Sequence, residues 1–211
     1  MSEPAPPDET LHPALRALAA RDPDIARAYA ACGLPPVRRR APGFAGLLHI
    51  ICAQQVSAAS AAAIIGRLDA AARPLTPRSF LALDDAALRT VGFSRAKARY
   101  GRALAEDVLA GRLDVDGLAR MDEAAAVAHL CQAKGIGRWT AEIYLLFALG
   151  RPDVWPADDL AVRIAAQRLK RLATRPGRAT MLALAEPWRP YRSAAARLLW
   201  HLYRHPGVPE G

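Results

Sequence analysis

The sequence predicts an all-α protein. Apolar residues recur at helical spacing through most of the chain, and no alternating apolar–polar run is long enough for a strand of consequence. Ser, Thr, Asp, Gly and Pro stand where helices should start and stop. No segment repeats with a fixed period. At 211 residues the chain can bury a real core, in one domain or two small ones.

Residues 1–9 are polar and Pro-rich, so a disordered tail is expected there. Two helices follow, over 10–20 and 22–32, with Thr10 and Asp22 as caps, and Gly33-Leu34-Pro35-Pro36 stops them. Arg38-Arg39-Arg40 reads either as a solvated loop or as a phosphate contact. A helix over 44–53 is apolar on nearly every side, which marks it as central. Gln54-Gln55 interrupts it, and these amides are either satisfied inside the core or face a cleft and touch DNA. Ser57 can cap a helix to about residue 72. Asp84 opens a short helix that Gly92 ends as a C′ glycine. Phe93-Ser94 then leads into a basic helix over 95–110. Phe93 either staples that helix start or wedges into a base stack. A helix over about 122–133 feeds a hairpin, and another over 139–149 leaves it. Beyond the acids Asp158-Asp159, helices over 160–172 and 193–203 complete the chain.

The net charge of +9 and a pI near 10.2 favour a polyanionic partner. The basic residues are nearly all arginine, whose planar fork suits phosphate; the lysines are Lys97, Lys134 and Lys170. Cys32, Cys52 and Cys131 lie far apart, with no CxxC pair, so neither a zinc site nor an iron–sulfur cluster has its ligands. His201 and His205 share a helix face but lack a third metal ligand, and GxSxG is absent. The N-terminus has no basic and apolar regions of a secretory signal, and no apolar run reaches membrane-span length. A cytoplasmic, bacterial, nucleoid-associated monomer is expected, with no membrane partner.

Two stretches carry chemistry. In Lys134-Gly135-Ile136-Gly137-Arg138-Trp139-Thr140-Ala141, two glycines bracket one aliphatic residue and open a helix. That arrangement lets backbone N–H groups of the hairpin and of the next helix's first turn hold a phosphate, where a β-carbon would crowd it. Thr140 can add a hydroxyl. An ordinary turn between helices fits the same residues. Asp158-Asp159 then precede a helix, so each can be an N-cap; one is expected to be only that. The other gains from the helix dipole, which favours an ionised carboxylate able to stabilise an oxocarbenium-like sugar or activate water. Trp139, Trp155, Tyr191 and Trp200 offer π-faces for an extruded base.

These residues resemble the helix-hairpin-helix DNA glycosylases of base excision repair, most closely the 3-methyladenine-DNA glycosylase II group. The resemblance rests on LHIICAQQVS (48–57), VGFSRAK (91–97), KGIGRWTA (134–141), RPDVWPADDLAV (151–162) and WRPYRS (188–193). It implies a two-lobed helical enzyme with a cleft between its lobes, into which a damaged base of double-stranded DNA is flipped. It further implies Asp159 as catalyst, leaving Asp158 as the cap. Trp139, Trp200, Gln54 and Tyr191 are expected at the base pocket. Gly135, Gly137, Arg138, Thr140, Phe93 and Ser94 are expected on DNA, with the wedge at Phe93-Ser94. The carbonyls of Cys131, Ala133 and Ile136 match positions that hold a monovalent cation in relatives; no other cofactor is expected.

Relatives that also cut the strand place a lysine just after GxGR, and Trp139 stands there. Without that amine no Schiff base forms, so monofunctional hydrolysis of alkylated bases is expected. Ile143 and Leu160 replace tyrosines of some relatives, which leaves the range of accepted purines open. The domains are expected as 10–42 with 160–211 in one lobe, and 43–159 in a second that carries the helix-hairpin-helix (about 123–149). Two other readings remain: a non-catalytic DNA-binding module, and a glycosylase for deaminated purines.

Overall fold

The computed structural model describes residues 10–205, and the tail expected at 1–9 lies outside them. Among the described residues there are helices and no strand. The chain divides into two compact units, Arg40–Leu149 and a second formed by both ends, Met1–Arg39 with Gly150–Gly211. The boundary expected after 159 therefore falls at Leu149/Gly150, and Asp159 belongs to the unit built from the chain ends.

The Arg40–Leu149 unit is organised around α3 (Gly43–Ala53), whose Leu47, Leu48, Ile51 and Cys52 are fully buried. Around it pack α4 (Ala58–Ala71), α7 (Arg95–Leu109) and α9 (Arg138–Phe147). The short α5 (Pro77–Leu81) lies on α7, α6 (Asp85–Val91) on α4, and α8 (Glu123–Leu130) on α9. The caps are local chemistry: Ser57, Asp84, Ser94 and Asp122 each accept an N–H from the first turn of the helix they precede. Gly92, at φ 105°, closes α6 in the left-handed conformation.

In the other unit, α1 (Leu11–Ala19) and α2 (Pro23–Cys32) pack with α10 (Leu160–Leu169) and α12 (Arg192–Tyr203), while α11 (Arg178–Ala185) lies before a 3-10 turn at Glu186–Trp188. Asp22 caps α2 as expected, accepting from Asp24 and Ile25 N–H. Thr10 does not hold the extended backbone of a cap; at φ −89°, ψ −23° it is already helical. Asp22 also binds Lys170 Nζ at 2.7 Å and the Trp188 indole N–H at 2.8 Å, and Lys170 reaches Asp24 at 2.9 Å. Burial pushes the Asp22 and Asp24 carboxyls up, but their partners together outweigh it, Lys170 with Trp188 and the Ile25 N–H at Asp22 and Lys170 with Arg27 at Asp24, and hold both below their ordinary value. Burial pushes the Lys170 amine down, and the two aspartates more than reverse it. No helix among the described residues is long and apolar enough to cross a membrane.

Candidate functional site

The hairpin stands on Gly135, at φ 87°, where a β-carbon would lie 2.5 Å from Tyr100 Cγ. Glycine is required there by the backbone and by the room available. Gly137 is different. Its φ of −89° is ordinary and nothing lies within 4 Å of a β-carbon built on it. Folding does not demand glycine at Gly137, yet it occupies the N-cap of α9, where Ser or Asp would satisfy a first-turn N–H. A glycine N-cap leaves those N–H groups to an outside acceptor, which is how helix starts hold phosphate.

Behind the hairpin, Gln54 donates from Nε2 to the Gly135 carbonyl at 3.1 Å and to Thr140 Oγ1 at 3.2 Å. Both of its amide hydrogens are thus directed at the hairpin, so Gln54 braces the grip instead of facing a base pocket. Thr140 is buried, and its hydroxyl is turned to Gln54. Arg138 pairs with the buried Glu142 one turn on, at 3.5 Å, while its own side chain stays 55% exposed. Trp139 is 41% exposed, a large aromatic face at the start of α9. Lys97 Nζ donates to the Cys52 carbonyl at 2.6 Å, tying α7 to the last turn of α3.

Phe93 is not a wedge in this structure. It is buried against Phe80, with ring centroids 5.8 Å apart, and Ser94 accepts the Lys97 N–H as the α7 cap. The exposed apex lies instead between α3 and α4. There Gln55 holds φ 56°, a left-handed conformation uncommon for a non-glycine residue, and Val56 is 39% exposed. A backbone of that kind persists only where the surrounding structure over-determines it, and such positions cluster at functional sites. The only sequence signal was the pair of glutamines ending an apolar helix.

The second part lies in the unit of the chain ends. Asp159 is 9% exposed, and its Oδ1 accepts both the Val162 N–H at 2.9 Å and the Trp200 indole N–H at 3.0 Å. It is therefore the N-cap of α10. Asp158, expected as the cap, pairs with Arg178 of α11 instead. The bonds from the Val162 N–H and the Trp200 indole fix the orientation of the Asp159 carboxylate. The loop that delivers it is fastened to α12. Arg192 binds Asp153 through two parallel bonds of 2.9 Å, and Ser193 Oγ donates to the Arg151 carbonyl at 2.6 Å while accepting the Val154 N–H at 2.9 Å. Trp200 is partly exposed beside the carboxylate. Tyr191 sits under Arg21, 5.8 Å from its guanidinium carbon, and Trp155 is core, donating to the Met181 carbonyl at 2.9 Å. His201 Nε2 lies 2.9 Å from the Cys32 carbonyl, an acceptor, so that nitrogen carries a proton and is no metal ligand.

Among the described residues no group of three or more His, Cys, Asp or Glu could hold a metal. Burial pushes the Cys52 thiol up to about 12 and raises Cys32 and Cys131 as well, which lowers the thiolate fraction of each.

Residues 48–190, which hold both the glycine-capped hairpin and the carboxylate at the start of α10, match the family model of the HhH-GPD superfamily of base excision DNA repair proteins. The chain belongs to that superfamily. Within it, the chain is 35% identical over 158 residues to DNA-3-methyladenine glycosylase 1 of Schizosaccharomyces pombe, spanning 73% of this chain and 69% of that protein. A solved 3-methyladenine DNA glycosylase from Schizosaccharomyces pombe, in complex with abasic DNA, superposes with a TM-score of 0.81 at 29% identity, covering 94% of this chain and 98% of that one. A DNA-3-methyladenine glycosidase from Bacillus halodurans gives 0.80 at 29% identity over 92% and 89%.

Proposed function

We propose that this superfamily member is a monofunctional DNA glycosylase of base excision repair, which hydrolyses the N-glycosidic bond of alkylated bases of the 3-methyladenine type in duplex DNA. The observation that carries the reading is Asp159: a carboxylate 9% exposed, capped onto α10 and held by the Trp200 indole. The similarity to 3-methyladenine glycosylases supports the substrate class.

An alkylated purine such as 3-methyladenine carries a positive charge, so it leaves easily. The C1′–N bond breaks, its electron pair goes with the base, and the base departs neutral. The sugar is left as an oxocarbenium ion, which the ionised Asp159 stabilises by charge. Water then attacks C1′ and gives up its proton to Asp159 or to solvent, leaving an abasic site. The backbone N–H groups of Gly137–Thr140 at the start of α9 hold a backbone phosphate, and Trp200, partly exposed beside Asp159, offers a stacking face for the base. Because Phe93 is buried, we place the wedge at the strained apex Gln55-Val56.

The lysines support hydrolysis without strand cleavage. Two of the three lysines are committed, Lys97 to the Cys52 carbonyl and Lys170 to Asp22 and Asp24; the third, Lys134, lines the groove along α7, and the position just after Gly-Ile-Gly-Arg is Trp139. A Schiff base needs a free amine at the sugar. The turn at the hairpin is closed by the Ile136 N–H to the Ala133 carbonyl at 3.1 Å, and a carbonyl has a second lone pair. Neutral backbone oxygens at Cys131, Ala133 and Ile136 suit a hard monovalent cation, which would add positive charge beside the phosphate. The test is base release from duplex DNA carrying 3-methyladenine, 7-methylguanine or hypoxanthine, followed by alkaline cleavage of the product. Release of methylated purines with strands intact before alkali is expected. DNA binding with no base released would make the chain a non-catalytic module, and release of hypoxanthine alone would make it a deaminated-base enzyme.

A further inference from the structure

One groove in the Arg40–Leu149 unit belongs to neither part of the candidate site. It has a volume of about 640 Å³ and runs from the end of α6 along one face of α7 to Lys134, the residue just before the hairpin glycine. Five basic side chains line it against two acids. One acid is already neutralised: Asp85 pairs with Arg102 at 2.9 Å. Arg89, Arg95, Arg99 and Lys134 face the remaining Glu106 and form no ion pair among the described residues, and all four are exposed.

Stability does not account for this arrangement. Arg95 and Arg99 stand one turn apart on α7, where like charges repel by a few tenths of a kcal/mol. The first turn of α7 holds Arg95 and Lys97 and no acid, although a helix start favours negative charge. A surface that costs the free protein energy in two ways is complementary to an anion. Arginine forks match phosphate oxygens two at a time, and a series of four cations along a groove matches a series of phosphates better than a single ion.

We infer that this groove is a second phosphate track, which holds the DNA backbone beyond the phosphate gripped by the hairpin and lengthens the bound footprint through Arg95, Arg99 and Lys134. The inference rests on the glycosylase reading. The groove's continuity with the hairpin through Lys134 selects DNA over an acidic protein as the occupant. Contacts of this kind carry no sequence information and position the strand.

The test compares Arg95→Gln/Arg99→Gln with a control of equal charge change, Arg112→Gln/Arg120→Gln, whose arginines pair with Asp107 and Asp114 away from the groove. Binding to a long unmodified duplex is followed by fluorescence anisotropy as salt is varied. Each lost phosphate contact lowers the slope of log affinity against log salt by about 0.9, so the groove variant should lose about 1.8. Its affinity deficit relative to wild type should change about twelvefold between roughly 50 and 200 mM salt, while the control keeps the wild-type slope. Equal slopes for groove variant and wild type would overturn the track while leaving base release, and with it the glycosylase reading, untouched. If the groove variant binds DNA normally but loses binding to polyglutamate, the occupant is an acidic protein and the inference is wrong. A wild type that neither binds duplex DNA nor releases bases would sink the glycosylase reading itself.

Discussion

Replacing Gly137 with Asp should move stability and DNA binding in opposite directions. The backbone at Gly137, φ −89° and ψ 173°, is that of an N-cap, and a β-carbon there meets nothing within 4 Å. An aspartate can therefore enter without strain and accept an N–H of the first turn of α9. Exchanging a glycine cap for an aspartate gains a few tenths of a kcal/mol, and a negative charge at the helix start adds about 0.3–1 kcal/mol. The sum is about 0.5–1.5 kcal/mol, a rise in melting temperature of roughly 1–6 °C for a chain of this size. For DNA the same carboxylate occupies the N–H groups that should hold phosphate and sets a charge against it. Loss of one charge-assisted contact of about 1.5–3 kcal/mol predicts a ten- to hundredfold fall in affinity. Thermal melting and anisotropy with duplex DNA read the two effects separately. Stabilisation with unchanged affinity would refute the grip and leave an ordinary turn between two helices.

Gly135→Ala has the other signature. Left-handed backbone costs about 1–2 kcal/mol, and a β-carbon 2.5 Å from Tyr100 Cγ forces a shift costing about 1–3 more, so urea unfolding should show a loss of about 2–5 kcal/mol. Trp200→Phe removes the indole N–H from Asp159 Oδ1; single-turnover base release should fall about ten- to hundredfold, the worth of a hydrogen bond to a charged group, with a smaller change in melting. Lys170→Met should destabilise by on the order of 2 kcal/mol, less than the ~3–5 of a fully buried pair because 19% of the Lys170 side chain is exposed. Asp22 and Asp24 titrate below their ordinary value, so their contribution is complete above about pH 4 and is lost as pH falls through the lower folded value. Lys170 titrates above its ordinary value, so its share is complete below about pH 10 and is lost as pH rises through the folded one. Denaturant melts across pH should show the variant losing both limbs; a variant with the wild-type acid limb would contradict this.

Where the sequence was legible, the physics was local. Asp22, Ser57 and Asp84 stand ahead of apolar helical runs and cap them, and Gly92 ends α6, because a cap needs only the right side chain at the right offset. Adjacent Asp158 and Asp159 could not be told apart that way. Their roles as paired acid and cap are decided by Arg178, on a helix for which the sequence reading placed no element. The fates of Phe93 and Gln54 were also tertiary: Phe80 on α5 takes the first into the core, and the hairpin 81 residues downstream takes the amide of the second. Gln55's left-handed backbone was signalled only by the glutamine pair that ends the apolar run of α3, since nothing in a glutamine itself announces φ 56°.

Asp159 is proposed to break the bond by its charge. Asp159→Asn keeps the size of the side chain and an oxygen to accept the Val162 N–H, so α10 should remain capped and melting should change little. What it removes is the negative charge. Single-turnover release of 3-methyladenine from methylated duplex is therefore predicted to fall by about a hundredfold or more while DNA affinity is retained. Release at the wild-type rate from a folded, DNA-binding Asp159→Asn protein would contradict the mechanism.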